Sequence, residues 1–248
     1  MRHIGLLIIV ILSTLIYSCE ISNEEKYNYS NVSEIKIPTD SPRGLAFDGE
    51  YLWYSDDSLQ SLNKISKNGS ILKTIQLANC KITGFDFYDN YIWCINDMTV
   101  QYDTTISHYP FSCIYKLSFA GEKLDSILVQ ASVNPQRPEF LGLTVCNSTI
   151  YGSTNQGWSS CLYKIDLNSK ENTFLQYHYL TGLTTKNDTI YGIDRSHLNI
   201  NRIVSFDSDY KVIENKVIEI NFQASDLVFI NNYLWVCDRE ERKLKKIK

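Results

Sequence analysis

The chain of 248 residues sets 24 lysines and arginines against 28 aspartates and glutamates, a formal net charge of −4. No basic stripe runs along it, which argues against nucleic acid as a partner. The length suits one large all-β domain.

The first residues carry an address. Arg2 and His3 precede an apolar run from Ile4 to Tyr17, short for a membrane span and of the right length for the apolar core of a secretory signal. The run closes in Leu15-Ile16-Tyr17-Ser18-Cys19. This resembles a bacterial lipobox, with residues 1–18 as the signal peptide and Cys19 as the lipidated, palmitate-type N-terminus. Residues 19–32 are polar and acidic and read as a flexible tether. Glu20, Glu24 and Glu25 resemble the export signal of surface lipoproteins in Bacteroidota, and a plain solvated linker reads the same way. The resemblance implies a lipoprotein of the bacterial cell envelope, held on the outer membrane through Cys19 and facing either the periplasm or the outside.

Residues 33–248 read as a repeat array. Ser33–Pro38 alternates Ile35 and Ile37 with polar residues, as a strand does. One ten-residue phrase then occurs five times: Gly44–Trp53, Gly84–Trp93, Gly142–Tyr151, Gly182–Tyr191 and Asp226–Trp235. Each copy carries alternating apolar positions and a central turn pair: Asp48-Gly49, Asp89-Asn90, Asn147-Ser148, Asn187-Asp188 or Asn231-Asn232. These residues tolerate the positive φ of tight hairpins. Third strands follow at Ser61–Ile65, Cys113–Leu117, Cys161–Ile165, Asn201–Phe206 and Arg242–Ile247, and fourth strands at Ile71–Leu77, Leu124–Val129, Thr173–Tyr177 and Val212–Ile220. Helical periodicity is absent and proline is expected only in loops. Four antiparallel strands in about 40 residues is the signature of a propeller blade.

The fifth copy ends after its third strand, so its fourth must come from Ser33–Pro38. The expected fold is an all-β, five-bladed β-propeller closed by pairing the N-terminal strand with the C-terminal blade. The glycines that open four copies belong where the inner strands crowd, and the aromatic that ends each copy belongs between neighbouring blades. Residues 96–112 form an insertion in blade two, and 131–139 an excursion between blades two and three. Cys80, Cys94, Cys113, Cys146, Cys161 and Cys237 form an even set in an exported chain. Disulfides and buried small apolar side chains account for them equally well.

One face of the ring gathers candidate ligand-binding residues. Three positions past each aromatic stand Asp56, Asn96, Thr154, Asp194 and Asp238; just before each inner strand stand Arg43, Thr83, Leu141, Thr181 and Ser225. Asp226 is placed to face Arg43 across the channel. Asn155, Trp158, Arg195 and Arg239 lie close by, and an aromatic ring beside amides suits a glycan or peptide. Asp56, Asn96, Asp194 and Asp238 offer the oxygen ligands that Ca²⁺ takes, or are turn residues bonded to loop backbone. His108 and His197 have no evident carboxylate partner. No GxSxG, HExxH or phosphate-loop motif occurs.

The repeat pattern over residues 33–248 resembles β-propeller families of the NHL and gluconolactonase-like kind. It is also similar to the five-bladed glutaminyl cyclotransferases of plants and bacteria. That family has a phrase like L-Y-E-S-T-G in its first blade, with a catalytic Glu; here Leu52-Trp53-Tyr54-Ser55-Asp56-Asp57 puts Tyr54 at that place. The foremost expectation is a non-catalytic, membrane-anchored protein whose propeller face binds a protein, peptide or glycan or scaffolds an envelope complex. The resemblances imply two alternatives: a metal-dependent lactonase-like hydrolase, and a cyclotransferase-like enzyme with a rearranged site.

Overall fold

The computed structural model describes residues 29–77, 80–96, 112–129, 139–155, 160–196 and 201–247. The expected signal peptide, Cys19, His108, Trp158 and His197 lie outside the described residues. The N-terminal strand is β1 (Glu34–Lys36). Blade I holds β2 (Pro42–Phe47), β3 (Leu52–Asp56), β4 (Ser61–Ile65) and β5 (Ile71–Gln76). Blade II holds β6 (Ile82–Tyr88), β7 (Tyr91–Asn96), β8 (Ser112–Leu117) and β9 (Lys123–Val129). Blade III holds β10 (Glu139–Cys146), β11 (Thr149–Asn155), β12 (Cys161–Asp166) and β13 (Asn172–Tyr177). Blade IV holds β14 (Leu180–Lys186), β15 (Thr189–Asp194), β16 (Asn201–Ser205) and β17 (Ile218–Ile220). Blade V holds β18 (Ala224–Ile230), β19 (Tyr233–Asp238) and β20 (Lys243–Lys246), with β1 on its outer edge.

Ile35 of β1 lies opposite Leu244 of β20 in an antiparallel pair. The innermost strands β2, β6, β10, β14 and β18 contact one another in a closed cycle. This is a five-bladed β-propeller. The central turns behave as their composition dictates: Gly49, Asp89, Asn90, Asn147, Ser148, Asn187, Asp188 and Asn231 all take positive φ.

The core is divided among the blade interfaces because successive side chains on a strand face opposite neighbours. Leu52 and Tyr54 of β3 pack towards blade V with Trp235, Cys237 and Leu244, while Trp53 between them packs towards blade II with Phe85 and Ile92. Trp93 fills the II–III interface. Tyr151 and Tyr191 pack at III–IV and IV–V. The aromatic that ends each copy therefore sits between blades.

Four departures from the sequence reading have physical causes. The innermost strands begin two or three residues before the glycine, through bulges described below. Pro42 opens β2 rather than lying in a loop, a position where its missing N–H is tolerated. The fourth strand of blade IV shrinks to Ile218–Ile220, because Glu214–Lys216 turns into a short 3-10 segment after an isolated Phe206–Val212 bridge. Tyr29, expected in the tether, is buried against Trp235 at 5.9 Å, edge to face, and its hydroxyl accepts the Leu52 N–H at 3.3 Å. The six described cysteines are free thiols, not disulfides, and Cys94, Cys161 and Cys237 are fully buried. No described helix is long and apolar enough to cross a membrane.

Candidate functional site

Every innermost strand carries a bulge at the same point. In blade I the pairing passes from Pro42 with Asp56 to Leu45 with Tyr54, so that Arg43 and Gly44 together face Ser55. The same break falls at Ile82/Phe85, Phe140/Gly142, Leu180/Leu183 and Ala224/Leu227. A bulge re-aims the side chain of its extra residue. Here it places Arg43, Thr83, Leu141, Thr181 and Ser225 around one cavity of about 190 Å³ at the channel mouth. Tyr179, Arg195 and Arg239 complete the lining. Neighbouring blades are latched there: Ser225 Oγ donates to the Arg43 carbonyl and Thr83 Oγ1 to the Phe140 carbonyl, both at 2.7 Å.

Three guanidinium groups meet in this small space. Arg43 comes from the bulge of blade I, Arg195 follows β15 of blade IV, and Arg239 follows β19 of blade V. Arg43 Nε pairs with Asp57 Oδ2 at 2.8 Å, and Arg195 donates to the Ala224 carbonyl at 2.5 Å. Arg43 Nη1, Arg195 Nε and Thr181 Oγ1 are buried without a hydrogen-bond partner among the described residues. Burial pushes the Arg195 pKa down, and the positive charges of Arg239 and Arg43 push the same way. Burial raises Asp57, against the pull of Arg43, Lys81 and Arg239. One half-buried carboxylate thus serves a cluster of cations.

The expected ring of oxygen ligands is spent on turns and neighbouring side chains, except for Asp56 Oδ2, which is buried without a hydrogen-bond partner among the described residues. Asp56 Oδ1 accepts Ser58 Oγ at 2.6 Å and the Leu59 N–H at 2.9 Å. Asn96 accepts the Lys81 N–H at 3.2 Å and donates to the Tyr115 hydroxyl at 3.1 Å. Asp194 accepts the Ser196 N–H at 2.8 Å and pairs with Arg202 at 2.6 Å. Burial works to raise its pKa, yet the Ser196 and Arg202 bonds outweigh it and hold the carboxyl below the usual range. Asp238 accepts the Glu240 and Glu241 N–H groups at 3.0 and 3.1 Å and pairs with Lys245 at 2.8 Å. None of the four lines the cavity, and the described residues contain no group of three or more His, Cys, Asp and Glu able to hold a metal ion.

Asp226 does not face Arg43 across the channel. It is fully buried below the mouth, where Oδ2 accepts the Leu45 N–H at 2.8 Å and Oδ1 the Leu227 N–H at 2.9 Å. Of the sequence candidates, Arg43, Arg195 and Arg239 come together; Asn155 ends β11. Asp57 and Tyr179 were missed. Tyr179 stands three residues before Gly182 and two before Thr181, outside the positions that the repeat marks.

The sequence matches no protein-family model, and a search of curated proteins gives no match. The fold is similar to that of solved structures. One is the glutaminyl cyclase of Myxococcus xanthus, with a TM-score of 0.61 and 11% identity, covering 87% of this chain and 93% of that one. Another is a chain of a nidogen/laminin complex, with a TM-score of 0.57 and 14% identity, covering 85% and 80%. At such identities the likeness is one of fold.

Proposed function

We propose that the protein is a non-catalytic binding propeller whose channel mouth takes the anionic group of a protein, peptide or glycan at the cell envelope. The observation that carries this reading is the meeting of Arg43, Arg195 and Arg239 in one cavity, with buried guanidinium nitrogens left unbonded. Cations held in a partly desolvated cleft focus a positive potential on whatever enters, and a buried donor without an acceptor costs about 1–3 kcal/mol. An anion offsets both. Anchoring through a lipidated Cys19 rests on the lipobox-like Leu15–Cys19 stretch.

The hydrolase alternative draws no support from Asn96, Asp194 and Asp238, whose polar atoms are engaged with turns, Tyr115, Arg202 and Lys245, and the one unbonded oxygen of the set, Asp56 Oδ2, is buried outside the cavity. The cyclotransferase alternative draws none from Tyr54, which is buried between blades I and V rather than in the cavity.

The reading is tested by titrating the full chain with acetate, sulfate and phosphate at constant ionic strength, following the thermal midpoint. Arg195→Gln and Arg239→Gln are expected to abolish the anion-specific rise. A rise equal to that given by chloride, or unchanged in both variants, rejects the anion site. Incorporation of a palmitate analogue by the parent but not by Cys19→Ala is the expected sign of the anchor.

A further inference from the structure

We infer that the group held at the mouth is a phosphate monoester of a sugar, bound as its dianion; this rests on the anion reading above. Three observations lead there. The first is size. A cavity of about 190 Å³ has room for about six waters at ~30 Å³ each, which admits one charged group and the start of its carrier rather than a whole ligand. The second is geometry. The guanidinium groups stand on three successive blades, IV, V and I. A planar carboxylate has two oxygens and matches one guanidinium side-on. A phosphate monoester presents three strong acceptor oxygens around an axis, one for each of Arg43, Arg195 and Arg239.

The third is charge. Three cations share the single ion-paired carboxylate of Asp57, which leaves two positive charges in a space that disfavours uncompensated charge. A phosphate monoester near neutral pH carries ≈ −1.5 to −2 and balances them; a carboxylate or sulfate ester, with one negative charge, does not. The rest of the lining indicates the carrier. Tyr179 and the buried, unbonded Thr181 supply hydroxyls, while Thr83 and Ser225, whose protons go to the Phe140 and Arg43 carbonyls, are left to accept. Leu141 is the one aliphatic side chain in the lining. Hydroxyl-rich walls with a tyrosine ring suit a polyhydroxylated sugar. Tyr179 and Thr181 of blade IV and Ser225 of blade V stand on the arginine side of the mouth, with Thr83 and Leu141 of blades II and III opposite, so the sugar lies against blades IV and V.

Calorimetric titration of the full chain with glucose 6-phosphate, glucose 6-sulfate, glucuronate and O-phosphoserine separates the possibilities. Glucose 6-phosphate is expected to bind at least about tenfold (about 1.4 kcal/mol) more tightly than each of the others: over the sulfate and glucuronate through its second negative charge, and over O-phosphoserine through the sugar hydroxyls. Arg239→Gln is expected to weaken it by about tenfold or more while the urea midpoint without ligand stays near that of the parent; Arg195→Gln is expected to weaken it as much and also to lower that midpoint, because the Ala224 carbonyl loses its donor. Glucuronate or the sulfate binding as tightly, with the same dependence on the arginines, overturns the phosphate and leaves the anion site standing. O-phosphoserine binding as tightly overturns the sugar. No binding by any of the four overturns this inference; whether the anion site itself fails is then read from the acetate, sulfate and phosphate titration above.

Discussion

Asp86 gives the sharpest test of how this ring is held together. It occupies the third position of the repeated phrase, where the other copies have Ala46, Thr144, Thr184 and Val228. Its Oδ2 accepts the Val145 N–H at 2.8 Å and the Thr144 hydroxyl at 2.9 Å, and Oδ1 accepts the Phe87 N–H at 2.8 Å. Burial pushes its pKa from 3.8 up to about 6, with those three bonds pulling the other way. The folded-state pKa lies above the unfolded one, so folding favours the protonated form. The stability this group contributes is full below about pH 3.8 and is lost as pH rises through about 6. Roughly two pH units at about 1.4 kcal/mol each give about 3 kcal/mol. Asp86→Asn keeps the size and one acceptor oxygen but does not titrate. Urea unfolding of both proteins from about pH 4 to pH 8 should show the parent losing about 3 kcal/mol relative to the variant, other titrations cancelling in the difference. A difference constant to within about 0.5 kcal/mol would refute the claim that burial dominates this carboxylate.

Gly182→Ala should destabilise by about 3 kcal/mol in urea unfolding, because the new Cβ would lie 2.5 Å from Asp226 Oδ1 and 2.6 Å from its Cα; an unchanged midpoint would show that the IV–V joint can open. Asp238→Ala should cost about 2–3 kcal/mol, equally in EDTA and in Ca²⁺, since it strips two turn N–H groups and Lys245 of their acceptor. A loss confined to Ca²⁺ would instead make Asp238 a metal ligand. Among the six described cysteines a thiol reagent should reach Cys80, Cys113 and Cys146 in the folded protein and spare Cys94, Cys161 and Cys237 until it unfolds. Burial raises all six thiol pKa values, that of Cys237 to about 12, which slows even the accessible three; a disulfide on a non-reducing gel would contradict this.

The blades were legible because two local rules agreed at every copy. Alternation fixed which residues face a neighbouring blade, and the Asn, Asp and Gly turn pairs fixed where each hairpin reverses. The mouth was legible only in part. Arg43, Arg195 and Arg239 were picked out by their positions in the repeat, yet nothing in the sequence showed that a bulge turns Arg43 to the arginines of blades IV and V. A bulge adds one residue to a strand, and that residue reads as the loop before it. The acidic positions went the other way. Their spacing was right, but an aspartate at a strand end has turn N–H groups within reach, and Asp56, Asp194 and Asp238 are bonded there. Blade IV hid its broken fourth strand because Val212, Ile213, Val217 and Ile218 keep apolar residues on both sides of the 3-10 turn.

The places where the phrase breaks its own pattern are where blades are cross-linked. An innermost strand pairs on one edge only, and its other edge faces the channel with unpaired N–H groups. Four copies answer with glycine. Gly44 makes room for the Phe85 ring, and the other three let backbone meet backbone: a Cβ on Gly84 would lie 2.8 Å from the Leu143 nitrogen, and one on Gly142 would lie 2.9 Å from Gly182. Asp226 answers with a carboxylate that reaches from blade V to the Leu45 N–H of blade I, and Asp86 reaches from blade II to the Val145 N–H of blade III. Blade V is the one assembled from both ends of the described chain, so its joint with blade I carries more than packing. Burial raises the Asp226 pKa well above its ordinary value, so folding favours the uncharged form of the group that holds Leu45. Asp226 and Asp86 act in the same direction with pH: as each ionises, the ring gains stronger acceptors at two joints and loses net stability through both. The acid side of neutrality is therefore where these two joints contribute most to stability, and the cationic mouth sits directly above the first of them.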